Sequence, residues 1–172
     1  MHAVMTIFAP MSERPAGHRQ ALLRDPGHLI AMGLGSGLLP AAPGTWGTLL
    51  AVPLFWAMSH LRLGAYLAAL MVIAALGIWV CGRAARALNV HDDRSIVADE
   101  IVGYLVAMTA VPFTWVTVCT GFALFRFFDI VKPWPIGPLD RRVGGGLGIV
   151  IDDVAAGVCT AILMHLGLWV WG

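Results

Sequence analysis

Charged residues punctuate this chain and do not cover it, so the apolar segments between them define its elements. From Leu63 to Cys81, 19 residues run without a charge, close to the roughly 20 that a helix needs to cross a bilayer. Arg83 and Arg86 follow at once, and basic residues beside a span mark its cytoplasmic end. Val154 to Trp171 is a second apolar run, of 18 residues, interrupted only by His165. Its closing Trp169 and Trp171 suit the headgroup layer, and a lone histidine on such a helix reads as a satisfied core or interface residue. Ile101 to Phe125 is a third, 25 residues long and broken by Pro112. As one kinked span it would measure about 37 Å. As a hairpin turning at Ala110 to Thr114, its arms of about 17 Å would be too short to cross a hydrocarbon core of roughly 30 Å. A single span would send Asp99-Glu100 and Arg126-Asp129 to opposite faces. The hairpin keeps them together, on the side of Arg83, Arg86, Lys132, Arg141 and Arg142, and is the reading adopted.

Other apolar segments cannot span. Leu29 to Thr48 carries Gly33, Gly35, Gly37, Pro40, Pro43, Gly44 and Gly47, which break a helix repeatedly. A loop of that kind must be buried in protein or lie at the interface, because lipid leaves backbone groups unsatisfied. Thr45 or Thr48 can cap the helix that follows, from about Gly47 to His60, whose 14 residues are short for a span. Ser95 can cap a helix that carries Asp99 and Glu100 into Ile101, with Asp99 and Gly103 on one face and Glu100 about 100° away. Val131 to Arg142, with Pro133, Pro135 and Pro138, reads as a loop, and Gly144 to Gly148 as a second, flexible one. No strand pattern emerges. The fold class is all-α: a membrane-embedded helical bundle with Gly/Pro-rich loops forming a site at the cytoplasmic interface. Residues 1–27 read as an N-terminal tail, disordered or interfacial, without the basic start and apolar core of a signal peptide; residues 28–172 form the domain.

Composition agrees with a membrane setting. Of 172 residues, 59% are hydrophobic and 12% charged, about half the charged share of a soluble domain. The net charge of +1 and the lack of a basic run argue against nucleic acid as a partner. Cys81, Cys119 and Cys159 show no metal or redox spacing and read as apolar fillers.

The charges that exist are concentrated. Phe125 to Gly157 holds Arg126, Asp129, Lys132, Asp140, Arg141, Arg142, Asp152 and Asp153, eight of the 21 in the chain. Carboxylates at the borders of apolar helices need cations or a metal, since burying them unpaired costs several kcal/mol. Asp99, Glu100, Asp129, Asp152 and Asp153 are hard oxygen ligands suited to Mg²⁺ or Ca²⁺, and Mg²⁺ commonly bridges carboxylates to a substrate phosphate. The plainer alternative is structural ion pairing of these acids with Arg126 and Lys132. Gly35-Ser36-Gly37 and Pro43-Gly44-Thr45 can offer backbone N–H groups to phosphate, though neither is a nucleotide P-loop. Gly144-Gly145-Gly146 beside Arg141 and Arg142 joins such donors to cations. His91-Asp92 reads as a loop histidine with a capping acid, and the chain has no GxSxG elbow.

Three blocks, GLGSGLLPAAPGTWGT at 33–48, HDDRSIVADEIVG at 91–103 and FRFFDIVKPWPIGPLDRRVGGGLGIVIDDVAAG at 125–157, together resemble the phosphatidylglycerophosphatase A family. Asp93-Arg94 and Gly144 stand at positions that vary in that family. The resemblance implies a Mg²⁺-dependent lipid phosphatase of the bacterial inner membrane, its site facing the cytoplasm. Its reaction would release the terminal phosphate of phosphatidylglycerophosphate, a bilayer phospholipid. On this reading Asp99, Glu100, Asp129, Asp152 and Asp153 hold Mg²⁺, with catalysis resting on Asp99, Glu100, Asp129 and Asp152. Ser36, Thr45, Arg126, Lys132, Arg141, Gly145 and Gly146 would bind substrate. Water activated for in-line attack and an aspartyl-phosphate intermediate are both open. So are a different lipid or soluble phosphomonoester as substrate, and a small non-enzymatic membrane transport protein. A transporter would divide the acids between the two membrane faces; an enzyme would gather them at one.

Overall fold

A computed structural model describes residues 24–39, 41–89, 93–134, 136 and 144–171. Helix α3 (Leu63–Leu88) has no interior proline and runs 26 residues, about 39 Å. It stops where Asn89 turns left-handed (φ 54°) and its N–H bonds the carbonyls of Ala85 and Arg86. In its most apolar stretch only 22% is buried, at a mean hydropathy of 2.2. Leu67, Met71, Val72, Leu76 and Trp79 therefore point outward, and a lipid phase is the medium that accepts such a surface. Helix α6 (Gly145–Trp171) is the second helix long and apolar enough to cross a membrane. Its outward residues include Trp169, 83% exposed; the side chain of Trp171 lies outside the described residues.

Helix α6 starts nine residues ahead of the Val154 expected from the apolar run, and Gly144 to Gly148 is mostly not a loop. The reason is packing. A Cβ on Gly146 would lie 2.0 Å from the Ile78 carbonyl and 2.7 Å from the Gly82 nitrogen, so the glycine lets α6 cross α3 with backbones nearly touching.

Between the long helices the chain makes the expected hairpin. Helix α4 (Ala98–Ala107) ends in a turn through Ala110 (φ 58°), and α5 (Trp115–Val131) returns. Thr114 and Thr117 form a capping box: the Thr117 N–H donates to Thr114 Oγ1 at 3.1 Å and the Thr114 N–H to Thr117 Oγ1 at 3.0 Å. Pro112, which interrupts the apolar run, also accepts from the Thr117 hydroxyl at 2.6 Å. The hairpin is real because its ends meet: Arg126 of α5 stands 3.8 Å from Glu100 of α4. Two capping expectations fail. The N-cap of α4 is Val97, with no side-chain bond, because Ser95 spends its hydroxyl on Asp93 at 2.6 Å. Helix α2 (Pro43–Ser59) is capped by left-handed Ala42 and begins at proline, which suits a first helical position. Thr48, inside it, donates to the Gly44 carbonyl at 2.8 Å.

The glycine-rich stretch before α2 is a short helix, α1 (Pro26–Ala31), followed by a 3₁₀ segment (Gly33–Leu38) broken by left-handed Leu34 and Gly35. Asp25 caps α1 and pairs with Arg83 of α3 at 2.6 Å. Tyr104 of α4 centres the core. Its ring meets those of Phe55 and Phe125, with centroids 6.3 and 6.2 Å away. Among the described residues all regular structure is helical, and every charged group discussed below sits at one end of the bundle.

Candidate active site

Two glycines bring the acids together. Gly103 lies one turn after Asp99 on α4, and Gly157 one turn after Asp153 on α6, so each shares a face with its carboxylate. A Cβ on Gly157 would lie 2.4 Å from the Gly103 carbonyl, and one on Gly103 2.7 Å from the Asp153 carbonyl. The helices cross at these glycines, and one turn away Asp99 faces Asp153. Glu100 completes the group: carboxylate oxygens of Asp99, Glu100 and Asp153 all lie within 4.8 Å of one another.

Around this trio is a cavity of about 380 Å³, lined by Ala42, Pro43, Gly44, Arg94, Ile96, Asp99, Glu100, Arg126, Asp129, Ile130, Lys132, Asp152 and Asp153. All five carboxylates singled out from the sequence are on its wall. Arg126 pairs with Asp129 at 2.6 Å, one turn along α5. Lys132, the left-handed C-cap of α5, donates to Asp152 Oδ2. Asp129 and Asp152 thus hold cations, and the three-carboxylate cluster is left to Asp99, Glu100 and Asp153. Glu100 Oε2 and Asp153 Oδ2 are buried and have no hydrogen-bond partner, an expensive state for carboxylate oxygens unless another cation joins them. Burial, reinforced by the Asp153 carboxylate, pushes the Glu100 carboxyl up to about 8. Hard oxygen donors with unfilled valences fit Mg²⁺.

Gly44, from the Pro43-Gly44-Thr45 stretch named above as a phosphate cradle, does line the cavity, but its steric role there was missed. A Cβ there would sit 2.1 Å from Glu100 Oε1 and 2.9 Å from Arg126 Nη1, so glycine admits the start of α2 to the cavity wall, where a helix N-terminus favours anions. Arg94 was also missed as a wall residue; its place inside the 91–103 block was the available signal. Four expected substrate-binding residues do not line the cavity. Ser36 lies in the 3₁₀ segment with its hydroxyl buried and unpartnered. Thr45 is in the first turn of α2, Gly145 is exposed at the start of α6 (φ 73°), and Gly146 is packed on α3. Arg141, like Asp140, Arg142, His91 and Asp92, lies outside the described residues.

The class is now defined: a membrane-associated protein, helical throughout its described regular structure, in which the five carboxylates singled out above and Arg94, Arg126 and Lys132 line one cavity. Its relatives give the family. The family model for phosphatidylglycerophosphatase A matches residues 29–168. The chain is 42% identical to phosphatidylglycerophosphatase A of Escherichia coli K12 over 144 residues, 83% of this chain and 84% of that protein. It is also 42% identical to phosphatidylglycerophosphatase A of Haemophilus influenzae, over 147 residues and 88% of that protein. A Bacteroides thetaiotaomicron protein, provisionally named a phosphatidylinositol-3-phosphatase, is 39% identical over 153 residues, 84% of this chain and 94% of its own. No solved structure matches the chain significantly. The chain belongs to the phosphatidylglycerophosphatase A family and is a phosphatase.

Proposed function

We propose that this phosphatase hydrolyses the terminal phosphomonoester of phosphatidylglycerophosphate, giving phosphatidylglycerol, with Mg²⁺ as cofactor, at the cytoplasmic face of the inner membrane. The observation that carries the reading is the cavity in which the Asp99-Glu100-Asp153 trio adjoins the paired cations Arg126 and Lys132. The names of the two 42% identical relatives supply the substrate. Arg83 and Arg86, at the end of α3 that packs beside the start of α6, support the orientation.

Mg²⁺ held by Asp99, Glu100 and Asp153 would neutralise phosphate oxygens and lower the pKa of a bound water. Arg126 and Lys132 offer charged donors to the phosphate, and Asp129 and Asp152 fix their positions. A carboxylate of the trio accepts a proton as water oxygen bonds to phosphorus. The phosphorus bond to the glycerol oxygen then breaks, and that oxygen leaves with the electron pair and takes up a proton. Direct attack is the reading adopted because Asp129 and Asp152 are engaged by their cations and Asp99 and Asp153 are assigned to the metal. A thiophosphate monoester made chiral with oxygen isotopes, hydrolysed in water of a third isotope, is accordingly expected to react with inversion at phosphorus; retention would establish a covalent intermediate.

The first test is phosphate release from phosphatidylglycerophosphate in detergent micelles. Activity is expected to vanish on chelation and to return with Mg²⁺. Full activity after exhaustive chelation would remove the metal from the proposal, and no release under any metal would remove the substrate.

A further inference from the structure

The cavity holds a cation that the chemistry above does not use. Arg94 is exposed on its wall and forms no ion pair with any described residue. Arg126 and Lys132 come from the end of α5, whereas Arg94 comes from the turn before α4. That turn is held firmly. Asp93, 3% exposed, accepts from the Ser95 N–H at 2.9 Å and from its hydroxyl at 2.6 Å, and the Ile96 N–H bonds the Asp93 carbonyl at 2.8 Å. From outside, the 3₁₀ segment presses on the same turn: a Cβ on Gly37 would lie 2.1 Å from the Ser95 carbonyl oxygen. Buried Asp93, Ser95 and Gly37 thus fix the backbone that presents to the cavity one exposed guanidinium, unpaired among the described residues.

Size points the same way. At about 380 Å³ the cavity holds far more than one phosphate, given that a water molecule claims about 30 Å³. The proposed substrate has a second anion, the phosphodiester one glycerol away from the phosphate that is removed. We infer that Arg94 is a subsite for this phosphodiester, binding the part of the head group that persists in the product. The inference rests on the functional reading above and assigns recognition of the second anion to a residue of the turn before α4. A guanidinium matches the two free oxygens of a phosphodiester bidentately.

The test uses the full-length enzyme in uncharged detergent micelles, which remove any pull from bulk anionic lipid. Its probes are two soluble inhibitors, glycerophosphoglycerol (the diester alone) and inorganic phosphate. Arg94→Ala is expected to raise KM for phosphatidylglycerophosphate and Ki for glycerophosphoglycerol by about 10- to 100-fold. The kcat and the Ki for phosphate should hold, and the unchanged kcat certifies the fold. Arg94→Lys should recover part of the loss, because a point charge replaces a fork. Equal weakening of both inhibitors would place Arg94 at the reacting phosphate and overturn the subsite, as would no change in either. A drop in kcat with both inhibition constants unchanged would also overturn it. Wild-type enzyme inert toward phosphatidylglycerophosphate, with the diester still bound through Arg94, would instead condemn the assigned reaction.

Discussion

Asp153→Asn is expected to lower kcat by about 10²- to 10³-fold, the scale of losing one preorganised electrostatic partner. The change preserves the shape of the side chain and removes a single charge. Asp153 is 3% exposed, and its Oδ2 has no hydrogen-bond partner. Without metal, that oxygen is a burden to the fold. The neutral variant should therefore be at least as stable as the wild type when apo. With metal the order should reverse, since a ligand stabilises only as far as it binds. The rise in Tm on adding Mg²⁺ should shrink markedly in the variant. Activity, apo Tm and metal-induced Tm shift together separate a ligand from a merely structural acid. Wild-type kcat in the variant, with an undiminished Mg²⁺ shift, would exclude Asp153 from the centre.

Gly157→Val should damage the site without touching a charge. Its Cβ would lie 2.4 Å from the Gly103 carbonyl and 3.0 Å from the Val106 Cβ. Neither a backbone carbonyl nor a β-branched side chain within a helix can yield cheaply, so α4 and α6 must separate. Overpacking of this kind costs about 1–3 kcal/mol, sometimes more. The trio one turn away would spread with the helices, and kcat should fall with Tm. Gly64→Ala is the control: nothing lies within 4 Å of a Cβ there, and alanine in a helix is favoured over glycine by roughly 0.5–1 kcal/mol. It should be neutral or slightly stabilising. Equal stability and activity in Gly157→Val and the control would mean that the glycine crossing does not set the carboxylate geometry.

The sequence carried the hairpin because charge and length make one demand: the ten residues of α4 cannot reach the far face, and Glu100 has to meet Arg126. It carried the five acids of the cavity because carboxylates between apolar helices have few places to go. Their division of labour was hidden. Nothing in the spacing says that Lys132 reaches across to Asp152, a contact made by the left-handed end of α5 and the early start of α6. The glycines misled for a related reason. Gly146 sits in a run that looks like a phosphate loop, yet the partner that explains it is the Ile78 carbonyl, 68 positions away. Gly44 has the reverse history: its steric role against Glu100 and Arg126 is visible only once α2 and α4 are side by side.

The crossing of α4 and α6 also orders the making of the protein. As a ten-residue helix carrying two acids at its start, α4 is too short to enter a bilayer independently. Its shelter is α6, which is made later than α4. Until α6 arrives, Asp99 and Glu100 have no Asp153 to face and no glycine to close against. The carboxylate cluster is thus withheld until α6 has been made, and a chain stopped before α6 would have α3 in place and no Asp153 to complete the cluster.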